Sequence, residues 1–214
     1  MILNNDRALK VAEFLLQIKA IKLQPTNPFT WASGWKSPIY CDNRVTLSYP
    51  MIRTFIRQAY ADLILDKFGK PDLIAGVATG GIAQGALVAQ ELGIPFVYVR
   101  TTAKGHGLGN QIEGYFESGQ KVVVVEDLIS TGGSSLQAVS ALREAGCEVK
   151  GLVAIFTYGF EIANENFKNA NCNFETLTNY EFLIEQALKQ ESITSSDLDS
   201  LKEWRDNPST WMVK

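Results

Sequence analysis

Cysteine is scarce in these 214 residues: Cys41, Cys147 and Cys172 are the only three, an odd number with no CxxC spacing. That excludes a disulfide framework and predicts free thiols in a reducing compartment, hence a cytoplasmic protein. Long hydrophobic runs are missing too, since no apolar stretch approaches the roughly 20 residues that cross a bilayer, so no membrane association is expected. The N-terminus, MILNNDRALKVAEFLLQIKA, mixes acids and bases into its apolar positions and reads as an amphipathic helix, not a signal peptide. Nor is there an excess of positive charge. A net charge of -3 excludes bulk binding to a nucleic-acid backbone, so any bound phosphate must be held by local devices. Repeats and low-complexity tracts are absent, and so is a GxxxxGK[ST] loop.

What is present is a foldable chain, 46% hydrophobic and 20% charged. Its length suits one buried α/β domain with a small appendage. In residues 4–20, Leu9, Ala12, Leu15, Leu16 and Lys19 fall at helical spacing, and one face is expected to pack. Residues 24–47, broken by Pro25, Pro28, Gly34 and Pro38, read as loop and short strand lined by Phe29, Trp31, Trp35 and Tyr40. A helix is expected from Tyr49 to Phe68, stopped by Gly69 and Pro71. Strands at 72–77, 95–100, 121–125 and 148–157 alternate with helices at 81–92 and 132–145. That alternation, with continuous Val/Ile runs, predicts a mostly parallel sheet covered on both faces. The tail is expected to hold a short strand at 174–177 and polar helices near 180–190 and 195–205, with Asp197 or Ser195 capping the last.

Four segments carry chemistry. In VVVVEDLISTGGSS (122–135) an apolar strand stops at Glu126 and Asp127, and a small-residue turn then leads into a helix. Ligands of open α/β sheets sit at the carboxyl ends of strands. Backbone N–H groups and hydroxyls of Ser130, Thr131, Gly132, Gly133 and Ser134, with the positive end of the following helix, form an anion cradle. The two acids do not favour a phosphate; they suit sugar hydroxyls or a hydrated Mg²⁺ beside it. In RTTAKGHGLGNQIEG (100–114), Arg100, Lys104 and His106 lie among glycines. A loop of this composition is expected to be mobile when empty, and its cations suit a leaving pyrophosphate. PFTWASGWKSPIYCDNR (28–44) is aromatic and contains Lys36 and Arg44. GVATGGIAQG (76–85) follows a strand and opens a helix; anion binding by backbone N–H groups and close helix–strand packing through small residues both fit it.

The 122–135 string resembles the signature of the type I phosphoribosyltransferases, which bind phosphoribosyl pyrophosphate (PRPP). The segments at 100–114 and 28–44 resemble the mobile loop and base-side segment of the orotate phosphoribosyltransferases. The resemblance covers nearly the whole chain. It implies the type I fold as a single unit over 1–214, with a core at about 48–177 and a small hood from about 1–47 and part of the C-terminal tail. It implies transfer of ribose 5-phosphate from PRPP to orotate in pyrimidine synthesis. Arg100, Lys104, His106 and Asp127 would be catalytic. PRPP would lie on those residues together with Glu126, Leu128, Ile129 and Ser130 to Ser134; orotate would meet Ser130, Tyr40, Lys36 and Arg44. Mg²⁺ would be held mainly by PRPP with no direct protein ligand, Asp127 being the candidate for a contact through water. A homodimer with shared active sites is also implied. Four positions depart from the usual pattern. Ala32 stands where many members have a lysine, Thr101 where many have a second loop lysine, and Thr79-Gly80 where many have a lysine in the 76–85 loop. No arginine occurs near Phe156–Tyr158, where some members contact the base. Other readings stay open: a phosphoribosyltransferase for a purine or uracil, or a PRPP-sensing regulator, which would have little reason to keep the loop cations. A structural Rossmann-like module would leave those cations unexplained.

Overall fold

The computed structural model describes residues 5–31, 34–100 and 111–212. Lys104, His106, Thr101 and Ala32 lie outside them, and with them residues 101–110 of the 101–114 loop expected to be mobile; 111–114 are described and hold the short strand Ile112–Glu113. The first helix, α1 (Asn5–Gln17), buries Ala8, Val11, Ala12 and Leu15. The expected face is thus rotated: Leu9 and Leu16 are only half-buried, and Lys19 lies beyond the helix in a turn with φ 56°. Two alanines on the buried stripe let the helix approach the C-terminal elements closely. Four short strands follow: β1 (Ile21–Leu23), β2 (Phe29–Thr30), β3 (Lys36–Ser37) and β4 (Ile39–Cys41). β1 pairs antiparallel with β4, and β2 with β3. A 3₁₀ turn (Asn43–Ser48) leads into α2 (Pro50–Phe68), whose proline sits in the first turn, where the missing N–H costs nothing.

The central sheet is built from β5 (Leu73–Val77), β6 (Phe96–Val99), β7 (Ile112–Glu113), β8 (Lys121–Val125), β9 (Leu128–Ile129), β10 (Glu148–Thr157) and β11 (Phe174–Asn179). The order is β11-β10-β8-β5-β6-β7, with β9 continuing beside β10. All pairings are parallel except β6 with β7. Alternate residues serve opposite faces, as the period of two requires. Val123, Val125, Val153 and Ile155 join a core with Val11, Ile56, Leu183 and Trp204. Val122, Val124, Leu152 and Ala154 join the other, under α4 (Gly133–Glu144) and α5 (Glu161–Asn169). The first face also carries α3 (Gly80–Leu92), α6 (Tyr180–Lys189) and α7 (Leu198–Asp206).

Three departures from the expected elements have simple causes. β7 and β9 have two residues each and leave no periodic trace. α5 buries only Ala163 and Phe167 in a polar stretch, too few apolar points to mark a helix. The final helical segment starts as a 3₁₀ turn (Ser195–Asp197) capped by Thr194, with Asp197 Oδ2 accepting from the Thr194 N–H at 2.8 Å in a capping box; Asp197 is then the N-cap residue of α7, as one of the two expectations had it, though without a side-chain cap bond. Among the described residues no helix is long and apolar enough to cross a membrane.

Candidate functional site

The carboxyl ends of β5, β8 and β10 meet on one side of the sheet, and Glu126 and Asp127 lie at their centre. Glu126 is 5% exposed. Its carboxylate faces inward, accepting from the Asp127 N–H at 3.0 Å and from Ser135 Oγ at 3.3 Å. Burial pushes its carboxyl well above the usual range, and the neighbouring Asp127 adds to the shift. Asp127 is raised as well, chiefly by burial. The backbone of the pair is held from the hood and from α2. Asn43 Nδ2 donates to the Asp127 carbonyl at 2.6 Å, and Tyr60 Oη to that of Glu126 at 2.7 Å. Asn43 is in turn fixed by Thr46, whose hydroxyl donates to its carbonyl at 2.6 Å while accepting from Gln84 Nε2 at 3.0 Å. These supports were not legible beforehand. Asn43 and Gln84 lie in quoted motifs, but Tyr60 and Thr46 carry no local signal.

The 76–85 segment closes against this centre. A Cβ on Gly81 would collide with the Val125 carbonyl, and one on Gly80 with the Asp127 carboxylate. Close packing is therefore one job of these glycines. The first turn of α3 has no side-chain cap, which leaves its N–H groups available for an anion as well.

Beyond the acids, Leu128 and Ile129 add to β10 as β9, and Ser130, Thr131 and Gly132 turn into α4. Gly132 has φ 83°, and a Cβ there would come within 2.5 Å of the Phe167 ring. Both facts demand glycine. Asn166 Nδ2 holds the turn by donating to the Thr131 carbonyl at 3.0 Å. α4 has no side-chain cap either, and Gly133 and Ser134 in its first turn are exposed. Of the predicted residues 126–134, Glu126, Ile129 and Gly132 are buried, and the other six are partly or fully exposed, with Gly133 and Ser134 at the helical end the most open.

Beside Ser130 a cavity of ≈ 310 Å³ opens between the hood and the sheet. Trp31, Tyr40 and Tyr158 wall it; Thr30, Ser130, Cys41 and Leu128 complete it. Tyr40 and Ser130 are where the sequence expected base contacts. Lys36 and Arg44 are not among the lining residues. Lys36 Nζ instead donates to Thr30 Oγ1 at 2.8 Å, one residue removed. Arg44 folds onto Asp42, with Nε at 2.7 Å and Nη2 at 2.9 Å from its carboxylate oxygens. Trp31 and Tyr158 pack on the fully buried Trp204 of α7, at ring centroid distances of 5.7 and 5.6 Å. Sequence reasoning named Tyr158 only in a stretch lacking an arginine, and it passed over Trp204.

Arg100 ends β6. Its backbone N–H donates to Gln111 at 2.9 Å, Gln111 Nε2 returns a bond to its carbonyl at 2.7 Å, and its guanidinium lies 3.6 Å from Glu113. A larger hollow of ≈ 460 Å³ near Lys67 and Asn171 sits at the start of β11, at the far end of the strands from Asp127.

A family model for the phosphoribosyl transferase domain matches residues 48–190. The orotate phosphoribosyltransferase of Phocaeicola vulgatus is 63% identical over 200 residues, which cover 94% of this chain and 94% of that one. Among solved structures, the orotate phosphoribosyltransferase of Aeropyrum pernix aligns with a TM-score of 0.74 at 27% identity, covering 85% of this chain and 98% of its own. UMP synthase of Leishmania donovani aligns with a TM-score of 0.76 at 27% identity over 92% of this chain; the match spans only 42% of that longer protein.

Proposed function

The chain belongs to the phosphoribosyltransferase family, within its orotate phosphoribosyltransferases, and from that premise we propose that it transfers the phosphoribosyl group of PRPP to orotate. The products are orotidine 5′-phosphate and pyrophosphate, a step of pyrimidine nucleotide synthesis. The observation that carries this reading is the position of Ser130. It is at once the start of the phosphate turn and part of the wall of the aromatic cavity. A ribose lying over Glu126 and Asp127 would therefore have its 5′-phosphate on one side of Ser130 and a flat base on the other.

The reaction needs no protein nucleophile. Pyrophosphate leaves the anomeric carbon, positive charge builds on the ribose ring, and the base nitrogen attacks the opposite face. Rate comes from positioning and from charge stabilisation at the leaving group. Backbone N–H groups and hydroxyls of Ser130 to Ser134 hold the 5′-phosphate. Asp127 orients the ribose hydroxyls, and the buried Glu126 backs it by accepting from the Asp127 N–H. Arg100, at the end of β6, with Lys104 and His106, meets the pyrophosphate. Among the described residues no cluster of three or more His, Cys, Asp or Glu could hold a metal ion. Asp127, half-buried at the end of an acid pair, fits a hydrated Mg²⁺ held mainly by substrate oxygens and reached through water. When bound, Mg²⁺ supplies neutralising charge to the pyrophosphate.

We read the chain as one catalytic unit, because a single core runs from Val11 to Trp211, and as cytoplasmic, because its three cysteines are free. We also propose a symmetric homodimer in which the 101–110 loop serves the partner's site. Mixing Lys104→Ala with Asp127→Asn subunits should then restore about a quarter of the sites, whereas a loop acting in its own subunit restores none.

The test is orotate-dependent release of pyrophosphate from PRPP and Mg²⁺ by the purified chain, matched one for one by orotidine 5′-phosphate. Faster release with hypoxanthine or uracil would overturn the base assignment. PRPP binding with no turnover on any base would make the protein a sensor.

A further inference from the structure

The base-side cavity poses a problem of charge. Orotate carries a carboxylate, yet no lysine, arginine or histidine lines the cavity among the described residues. Lys36 is held one residue away on Thr30, and Arg44 is committed to Asp42. The described lining offers the carboxylate neutral donors only. The Cys41 thiol is engaged, with Sγ 3.3 Å from Asn43 Oδ1. Tyr158 is different. It is only 2% exposed, and its ring is clamped by Trp31 and Phe160 at 5.3 Å and by Trp204 at 5.6 Å. Its backbone N–H is bonded to Ile129, but its hydroxyl has no hydrogen-bond partner among the described residues, and it is absent from the orphaned atoms sealed in the core. Tyr158 is one of the residues that line the cavity.

We propose that Tyr158 is a specificity-determining residue, donating its phenolic hydrogen to the carboxylate of orotate. This rests on the proposed transfer to orotate and adds the group that reads the base. A desolvated hydroxyl fixed by four aromatic neighbours forms a charge-assisted bond to a carboxylate without paying for ordering. Burial, with Cys41, Asp127 and Tyr40 nearby, pushes the Tyr158 ionisation well above its ordinary value. The group thus remains a donor at any physiological pH. The rigid ring also explains how a position without a cation accepts an anionic base: the donor is pre-aimed, and a base lacking the carboxylate leaves it unpaired.

Tyr158→Phe tests this directly. The variant keeps the ring, and because the hydroxyl has no partner among the described residues, the melting temperature should hold or rise; a structural hydroxyl would lower it. With orotate, kcat/KM should fall by about 10- to 100-fold, mainly through KM, while KM for PRPP stays put. The inhibition constant of uracil, which lacks the carboxylate, should not move. Unchanged kcat/KM for orotate, or an equal weakening of uracil, would overturn the assignment. Absence of orotidine 5′-phosphate with the unmutated chain would instead count against the proposed reaction itself.

Discussion

From Glu126 to Ser135 the site is one continuous segment, held by bonds to its backbone from Asn43, Tyr60 and Asn166. The cavity next to it is the reverse: its walls are side chains from the hood, from the turn after β8 and from the end of β10, and the rings are propped from behind by Trp204 of α7. The first design fixes where main-chain donors point and suits a phosphate, whose shape never changes. The second leaves the walls to side chains that can differ between relatives without moving the phosphate. The contrast teaches where a family with one chemistry and several bases can vary: the stretch Phe156–Tyr158, which lacks an arginine, reaches the second region through Tyr158.

If the two regions are separable, variants should divide cleanly. The largest effect is expected for Trp204→Ala. Removing a fully buried tryptophan that four other rings contact should cost about 3–5 kcal/mol of stability, read by denaturant unfolding. In the folded fraction KM for orotate should rise more than KM for PRPP; an equal rise would mean that the cavity and the turn are one mechanical unit. Next comes Asp127→Asn, expected to lower turnover by about 10²–10³-fold. Its effect on stability should run the other way. Because the folded-state carboxyl is raised above 3.8, the stability associated with its proton is present at low pH and lost as pH rises through the raised value. The mutant should therefore match the unmutated protein below 3.8 and melt at or above it near neutrality. A mutant that melts lower at neutral pH would contradict the burial argument.

The smallest effect sharpens the comparison inside the turn. Gly132→Ala meets both a positive φ and the Phe167 ring, and should cost about 1–3 kcal/mol while raising KM for PRPP. Gly133→Ala faces open space at ordinary φ and should leave the melting temperature nearly unchanged. Equal destabilisation by the two would show that the turn is not shaped by Gly132.

The same contrast explains what could be read in advance. The strand, acids, turn and helix of 122–135 follow one another along the chain, so local rules found the fold there and drew the candidate site onto it. The parallel sheet was legible because fully apolar runs leave few alternatives. The aromatic cavity was only partly legible. Tyr40 stood out in an unusual segment, but nothing near Tyr158 or Trp204 in the sequence says that α7 comes back to support Trp31. Lys36 and Arg44 were expected at the base because they were the nearby cations. Their actual partners, Thr30 and Asp42, lie within six residues of them, and such local side-chain pairing leaves no mark in hydrophobic periodicity. In α1 the inward face is Ala8, Val11, Ala12 and Leu15, so the expected Ala12 and Leu15 are there while the leucines at 9 and 16 sit to its sides.

The central claim, that this one site joins PRPP to orotate, is tested most directly by competition. Equal concentrations of orotate, uracil and hypoxanthine are offered with limiting PRPP and Mg²⁺, and the nucleotides formed are resolved by mass. The account predicts orotidine 5′-phosphate as the dominant product from the unmutated chain, and a shift away from it in Tyr158→Phe. Uridine or inosine monophosphate as the dominant product of the unmutated chain would contradict it.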